Sequence, residues 1–226
     1  MTEHNVFTKK HTEEVTQAKQ TFLDELNLPP QATTFIRENQ RLLQAFFLLV
    51  VLSICGRSYY IHYTTTKIDQ SSEALSLALV VNGEEQLQAL AEVTHVHAGT
   101  GAAQWASIAL AKKQLADKQY ENAITTLQTE IAGLKSSAPQ LVLCKLLLAH
   151  AYESNAQNDL AVRLYEEVRD VHEFMVIGNV NLARIYEKAG DQAGARDAYE
   201  KALSSPALSQ SEKDWLRDRI HRLSIT

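Results

Sequence analysis

Apolar residues along this chain follow two different patterns, one continuous and one periodic. From Leu42 to Gly56 there is no charge, and Phe46, Phe47, Leu48, Leu49, Val50, Val51, Leu52 and Ile54 make the run apolar on every side. Extended through Ile61 the run reaches 20 residues, which as helix is about the thickness of a hydrocarbon core. Arg57 can snorkel out of such a span, and Tyr59, Tyr60 and Tyr63 suit its interfacial belt. The pattern predicts a single membrane anchor over 42–63, with Leu42 to Ile61 in lipid. The alternative, a buried helix of a soluble domain, gives the tyrosines no role.

Beyond residue 100 the apolar residues come at helical spacing, broken by polar turns at Asp117–Gln119, Ala156–Asp159 and Gly190–Gln192. Ala149, Tyr152, Ala161 and Tyr165 recur as Ala183, Tyr186, Ala195 and Tyr199, all displaced by 34 residues. A looser copy, Ala111, Gln114, Ala123 and Leu127, lies 38 residues before the first of these. The added length falls around Gly133–Pro139, where Gly, Ser and Pro mark a longer loop. Alanine lets paired helices approach closely, and the aromatics wedge between one pair and the next. This period and order resemble the tetratricopeptide repeat (TPR), whose hairpins must stack because none buries its apolar face alone. The expected fold is all-α: one membrane helix, then a TPR-like solenoid of three to four hairpins over 101–208.

The ends of the array read differently. Ser209 with Glu212 forms a capping-box pattern, and Trp215, Leu216, Ile220 and Leu223 follow at helical spacing among charges. Residues 209–226 are therefore expected to cap the last repeat. Residues 64–100 read as a linker and a degenerate first hairpin, with Asn82-Gly83 as its turn. Before the anchor, residues 1–41 hold a helical pattern around Thr12–Leu26 and a break at Pro29-Pro30. So long a leader, with no small-residue cleavage site after the apolar run, argues for an uncleaved anchor rather than a signal peptide. Cys55 in Leu-Ser-Ile-Cys-Gly has only a superficial lipobox look, given the bulky Ile54.

Charge then bears on orientation and partners. Arg37 and Arg41 before the span balance Arg57 and Lys67 after it, so the positive-inside rule is tied close to the membrane. Lys9, Lys10 and Lys19 add to the N-terminal side, and the chain's net charge of −5 lies beyond the span. The expected topology has the N-terminus in the cytoplasm and the repeats outside. An acidic balance leaves no footprint for nucleic acid. Two cysteines, Cys55 in the span and Cys144 in a repeat, imply no disulfide framework. His95 and His97 lack further ligands at metal spacing, and Gly99-x-Gly101 lacks the third glycine of a dinucleotide loop. No catalytic residue, metal site or cofactor is expected.

Stacked hairpins instead create a groove lined by the first helix of each pair. With Ala111, Ala149 and Ala183 as position eight, position two holds Trp105, Leu143 and Ile177, and position five holds Ile108, Leu146 and Val180. Position nine holds Lys112, His150 and Arg184. An apolar floor beside a basic row suits an apolar, acidic peptide. The expected partner-binding face is Trp105, Ile108, Lys112, Leu146, His150, Val180 and Arg184. Equally, the Trp215 helix or the segment before residue 100 could fill that concavity as core.

The order of parts resembles the YfgM-type bacterial inner-membrane proteins. The local matches are Glu38-Asn39 with Arg41, Gly56-Arg57 near Tyr59 and Tyr60, and Gly101-Ala102-Ala103. They continue with the run Lys188 to Arg196, and with Ser205-Pro206-Ala207-Leu208. The long leader and tyrosine-rich exit depart from that family. The resemblance implies a periplasmic TPR-like domain and an ancillary role at the Sec translocon, beside a membrane-anchored periplasmic chaperone. A different class of role, an envelope scaffold or adaptor unrelated to secretion, fits the same solenoid.

Overall fold

The computed structural model describes Gln31, Phe35 and residues 38–224 and divides into two compact units, Met1–Thr64 and Thr65–Thr226. The helical pattern around Thr12–Leu26 and the Pro29-Pro30 break lie outside the described residues. The described part of the first unit is almost wholly helix α1, Gln40–Val80, which continues past the unit boundary. The expected linker at the start of residues 64–100 is therefore helical, continuous with the first helix of the hairpin that follows. Leu42, Phe46, Phe47, Leu48 and Leu49 are each 60–70% exposed. Apolar surface of that extent does not persist in water, whereas a helix satisfies its own backbone and suits hydrocarbon. The segment is a candidate membrane span by length and composition.

Among the described residues the second unit is all helical. The end of α1 meets α2 (Glu84–Val96) around Ala78, Leu90 and Val93, α3 (Gly101–Ala116) pairs with α4 (Tyr120–Gly133), and α5 (Gln140–Ser154) with α6 (Asn158–Arg169). After a short 3₁₀ turn, α7 (Met175–Ala189) pairs with α8 (Gln192–Leu203), and α9 (Gln210–Leu223) ends the array. The periodic positions are where this packing is tightest. Ala111, Ala123, Ala149, Ala161, Ala183 and Ala195 are all 0% exposed. Tyr165, Tyr199 and Leu127 are likewise buried between hairpins. Gln114, standing where the other copies place tyrosine, is buried too, and its Oε1 accepts from the Thr126 hydroxyl at 3.0 Å. That bond meets the need of a polar group out of water.

The same period governs the turns. Lys118, Ala156 and Gly190 follow the first helix of successive repeats, all with positive φ of 59°, 60° and 79°. Around each, one backbone N–H reaches back five residues and the preceding one reaches back three: Gln119 to Gln114 and Lys118 to Leu115, Gln157 to Tyr152 and Ala156 to Glu153, Asp191 to Tyr186 and Gly190 to Glu187. These are Schellman caps, which close the last helical carbonyls with one left-handed residue. Only the third uses the residue that adopts this conformation without strain. Between repeats, Gly178 of α7 meets the C-terminal turn of α6 so closely that a Cβ there would lie 2.6 Å from the Arg169 backbone.

At the C-terminal end Ser209 and Glu212 form the expected capping box. Leu216 is buried, Ile220 and Leu223 pack against the same core, and Trp215 stands edge-on to Tyr199 at 6.0 Å. Helix α9 thus covers the last repeat.

Candidate groove and inter-repeat clamps

Helix α3 lines an apolar recess. Trp105, Ile108 and Lys112 line it from α3, Leu143 and Leu147 from α5, and Leu75, Leu79 and Leu90 from the first hairpin; its volume is about 780 Å³. Ile108 is buried beneath it while Trp105 remains 49% exposed. Lys112 is exposed and has no ion-pair partner among the described residues. Its neighbour Lys113 is held by Asp117 at 2.8 Å. The groove can therefore take an apolar segment against the indole and meet one carboxylate at Lys112.

Three of the seven expected partner-binding residues share this groove, and four do not line it. Leu146 and Val180 pack instead against the core around Tyr165 and Leu182. His150 is exposed on α5. Arg184 is engaged by the protein itself: its Nη1 and Nη2 donate to the two carboxylate oxygens of Glu153 at 2.5 and 2.6 Å. The row of Lys112, His150 and Arg184 is thus not a row of free cations. The two ways of filling the concavity also resolve separately. The segment before residue 100 walls the groove without closing it, and the Trp215 helix packs at the far end of the array.

Glu153 is the residue that sequence reading missed. Its side chain is 4% exposed, and besides Arg184 it accepts from Lys188 Nζ at 2.7 Å and from the Tyr165 hydroxyl at 3.2 Å. Burial opposes its charge, but the bonds and charges of Lys188 and Arg184 outweigh burial and hold its pKa below the ordinary carboxylate value. The Tyr165 phenol is pushed upward, by burial first and then by the Glu153 charge. One repeat later Glu187 takes the place of Glu153 and accepts from Arg219 of α9 at 2.5 Å. Burial and the Glu187 charge raise the Tyr199 phenol against the opposing pull of Arg219. Glu153 and Glu187 lie 34 residues apart, so the repeat period itself was the signal. The first joint has Leu115 and His150 at these places and no such clamp.

The remaining reactive groups stay apart. Cys144 is fully buried, and burial with the nearby Glu130 charge raises its thiol to about 11, a protonated and unreactive state. His95 is exposed at the end of α2, and no cluster of three His, Cys, Asp or Glu forms among the described residues.

Comparison with known proteins agrees with this architecture. The family model described as a tetratricopeptide repeat-like domain matches residues 33–224. No curated relative matches the sequence.

Proposed function

The chain belongs to the tetratricopeptide repeat-like domain family, and on that premise we propose that it is a non-catalytic adaptor anchored in a bacterial inner membrane. Domains of this kind bind other proteins, and the Trp105 groove is the observation that carries the proposal. A half-exposed indole over an apolar floor, with a free lysine at its edge, is the composition of an interface anchor. The α1 span supports a tethered role, because an adaptor confined to the membrane meets membrane partners at high effective concentration. The positive charges are tied close to the span, and Lys9, Lys10 and Lys19 further out on the N-terminal side support repeats in the periplasm. The resemblance to YfgM-type proteins supports a finer reading, in which the repeats hold a membrane-anchored periplasmic chaperone, or an emerging secreted chain, beside the Sec translocon.

Purification of the full chain in mild detergent tests this reading. Translocon subunits together with a periplasmic chaperone are the expected companions. Recovery of an unrelated membrane complex would turn the reading to an envelope scaffold. A cytoplasmic reporter active at Thr226, with a periplasmic one silent, would remove the periplasmic role.

A further inference from the structure

The two ends of the repeat stack are finished differently. Helix α9 covers the last hairpin with Leu216 inward and charges outward, as terminal repeats of a soluble array require. The first hairpin has no such cover among the described residues. On its outer side Leu77 and Val96 are 64% and 62% exposed. They border a shallow recess of about 300 Å³ whose polar lining is Glu85, Glu92 and His97. The two carboxylates lie two helical turns apart on one face of α2, about 10.5 Å along its axis. Both are exposed, and neither has an ion-pair partner among the described residues. Helix α2 carries three glutamates and no lysine or arginine.

From this face we propose a second docking surface, whose occupant is a cationic amphipathic helix of a partner protein. The helix would stack on the open end of the array as the missing outer layer. Two of its cations, seven residues apart, would meet Glu85 and Glu92, with large apolar side chains between them on Leu77 and Val96. A second copy of this same face is disfavoured, since a twofold contact sets the unpaired glutamates of one copy near those of the other. The charge is opposite to that of the Trp105 groove, so one chain can hold two chemically different partners. This surface does not depend on the groove reading.

The test uses the full chain in detergent micelles and a dye-labelled synthetic helix with lysines seven residues apart and leucines between them, followed by fluorescence anisotropy. Saturable binding beyond that to empty micelles is expected. Replacing both Glu85→Lys and Glu92→Lys should weaken it about tenfold or more. A peptide with glutamates in place of the lysines should then bind the doubly substituted chain. Leu77→Asp should weaken the first peptide with unchanged circular dichroism, whereas Lys112→Glu should leave it unaffected. Equal affinity for wild type and the double variant overturns the proposal. So does binding no greater than to empty micelles, or a wild-type dimer in sedimentation that the double variant dissociates, which would assign the face to a second copy.

Discussion

Removing Arg184 from its clamp gives a stability change that can be bounded from the geometry. Arg184→Met keeps an unbranched apolar stem and deletes two charge-assisted hydrogen bonds to Glu153, at 2.5 and 2.6 Å, and one to Asn181 Oδ1. Breaking a fully buried ion pair costs about 3–5 kcal/mol, and an exposed one about 0–1 kcal/mol. Here the carboxylate is 4% exposed but the guanidinium 33%, and Lys188 still reaches Glu153. The expected loss is therefore about 2 kcal/mol, between the two limits. For a chain of this size that lowers the melting midpoint by roughly 4–8 °C. Circular dichroism of the detergent-solubilised chain reads it directly. Glu153→Gln combined with Arg184→Met should cost less than the two changes summed, because they share one interaction. The same clamp predicts a pH dependence. Glu153 has a lowered folded-state pKa, so its contribution is complete above about pH 5 and is lost as pH falls through that lowered value. Glu153→Gln should flatten that acid limb. A loss below about 0.5 kcal/mol in Arg184→Met, with an unchanged acid limb in Glu153→Gln, would show the pair to be a surface contact.

Other changes test the packing and the turns. Ala156→Gly places an unstrained residue at a left-handed cap and should stabilise by about 0.5–1 kcal/mol, whereas Gly190→Ala should destabilise by a similar amount; chemical denaturation of both measures the pair. Tyr199→Ala should open a cavity costing roughly 3–5 kcal/mol, and Ala195→Leu should overpack the last hairpin by about 1–3 kcal/mol. Thermal melts that move for neither would place the repeat register elsewhere. Gly178→Ala forces α7 away from Arg169 and should cost about 1–3 kcal/mol, read in the same melts.

The stack was legible because its constraints are local and periodic. An alanine that must sit at 0% exposure leaves the same mark in every copy, and so does the polar turn that follows it. The clamps escaped because a table of positions shows Arg184 as a cation and not the carboxylate 31 residues away that holds it. The groove was half legible for a geometric reason. On α5 its lining runs through Leu143 and Leu147, while Leu146, one residue around the helix, turns into the core. Its other wall comes from Leu75, Leu79 and Leu90, in a hairpin without the repeat signature. That the span and the leading helix of the first hairpin form one uninterrupted α1 was hidden as well, because Thr64–Thr66 read as a linker although nothing in them breaks a helix.

Exchange of the groove residues is the most direct test of the binding role. Trp105→Ala with Lys112→Glu alters an exposed indole and a lysine with no ion-pair partner, so the fold should stand with its melting midpoint nearly unchanged. The partner recovered from mild detergent, quantified against wild type, should fall by about tenfold or more, since anchor residues of this kind each carry roughly 2 kcal/mol of an interface. Undiminished recovery from a folded variant would contradict the account and place the binding face outside the groove.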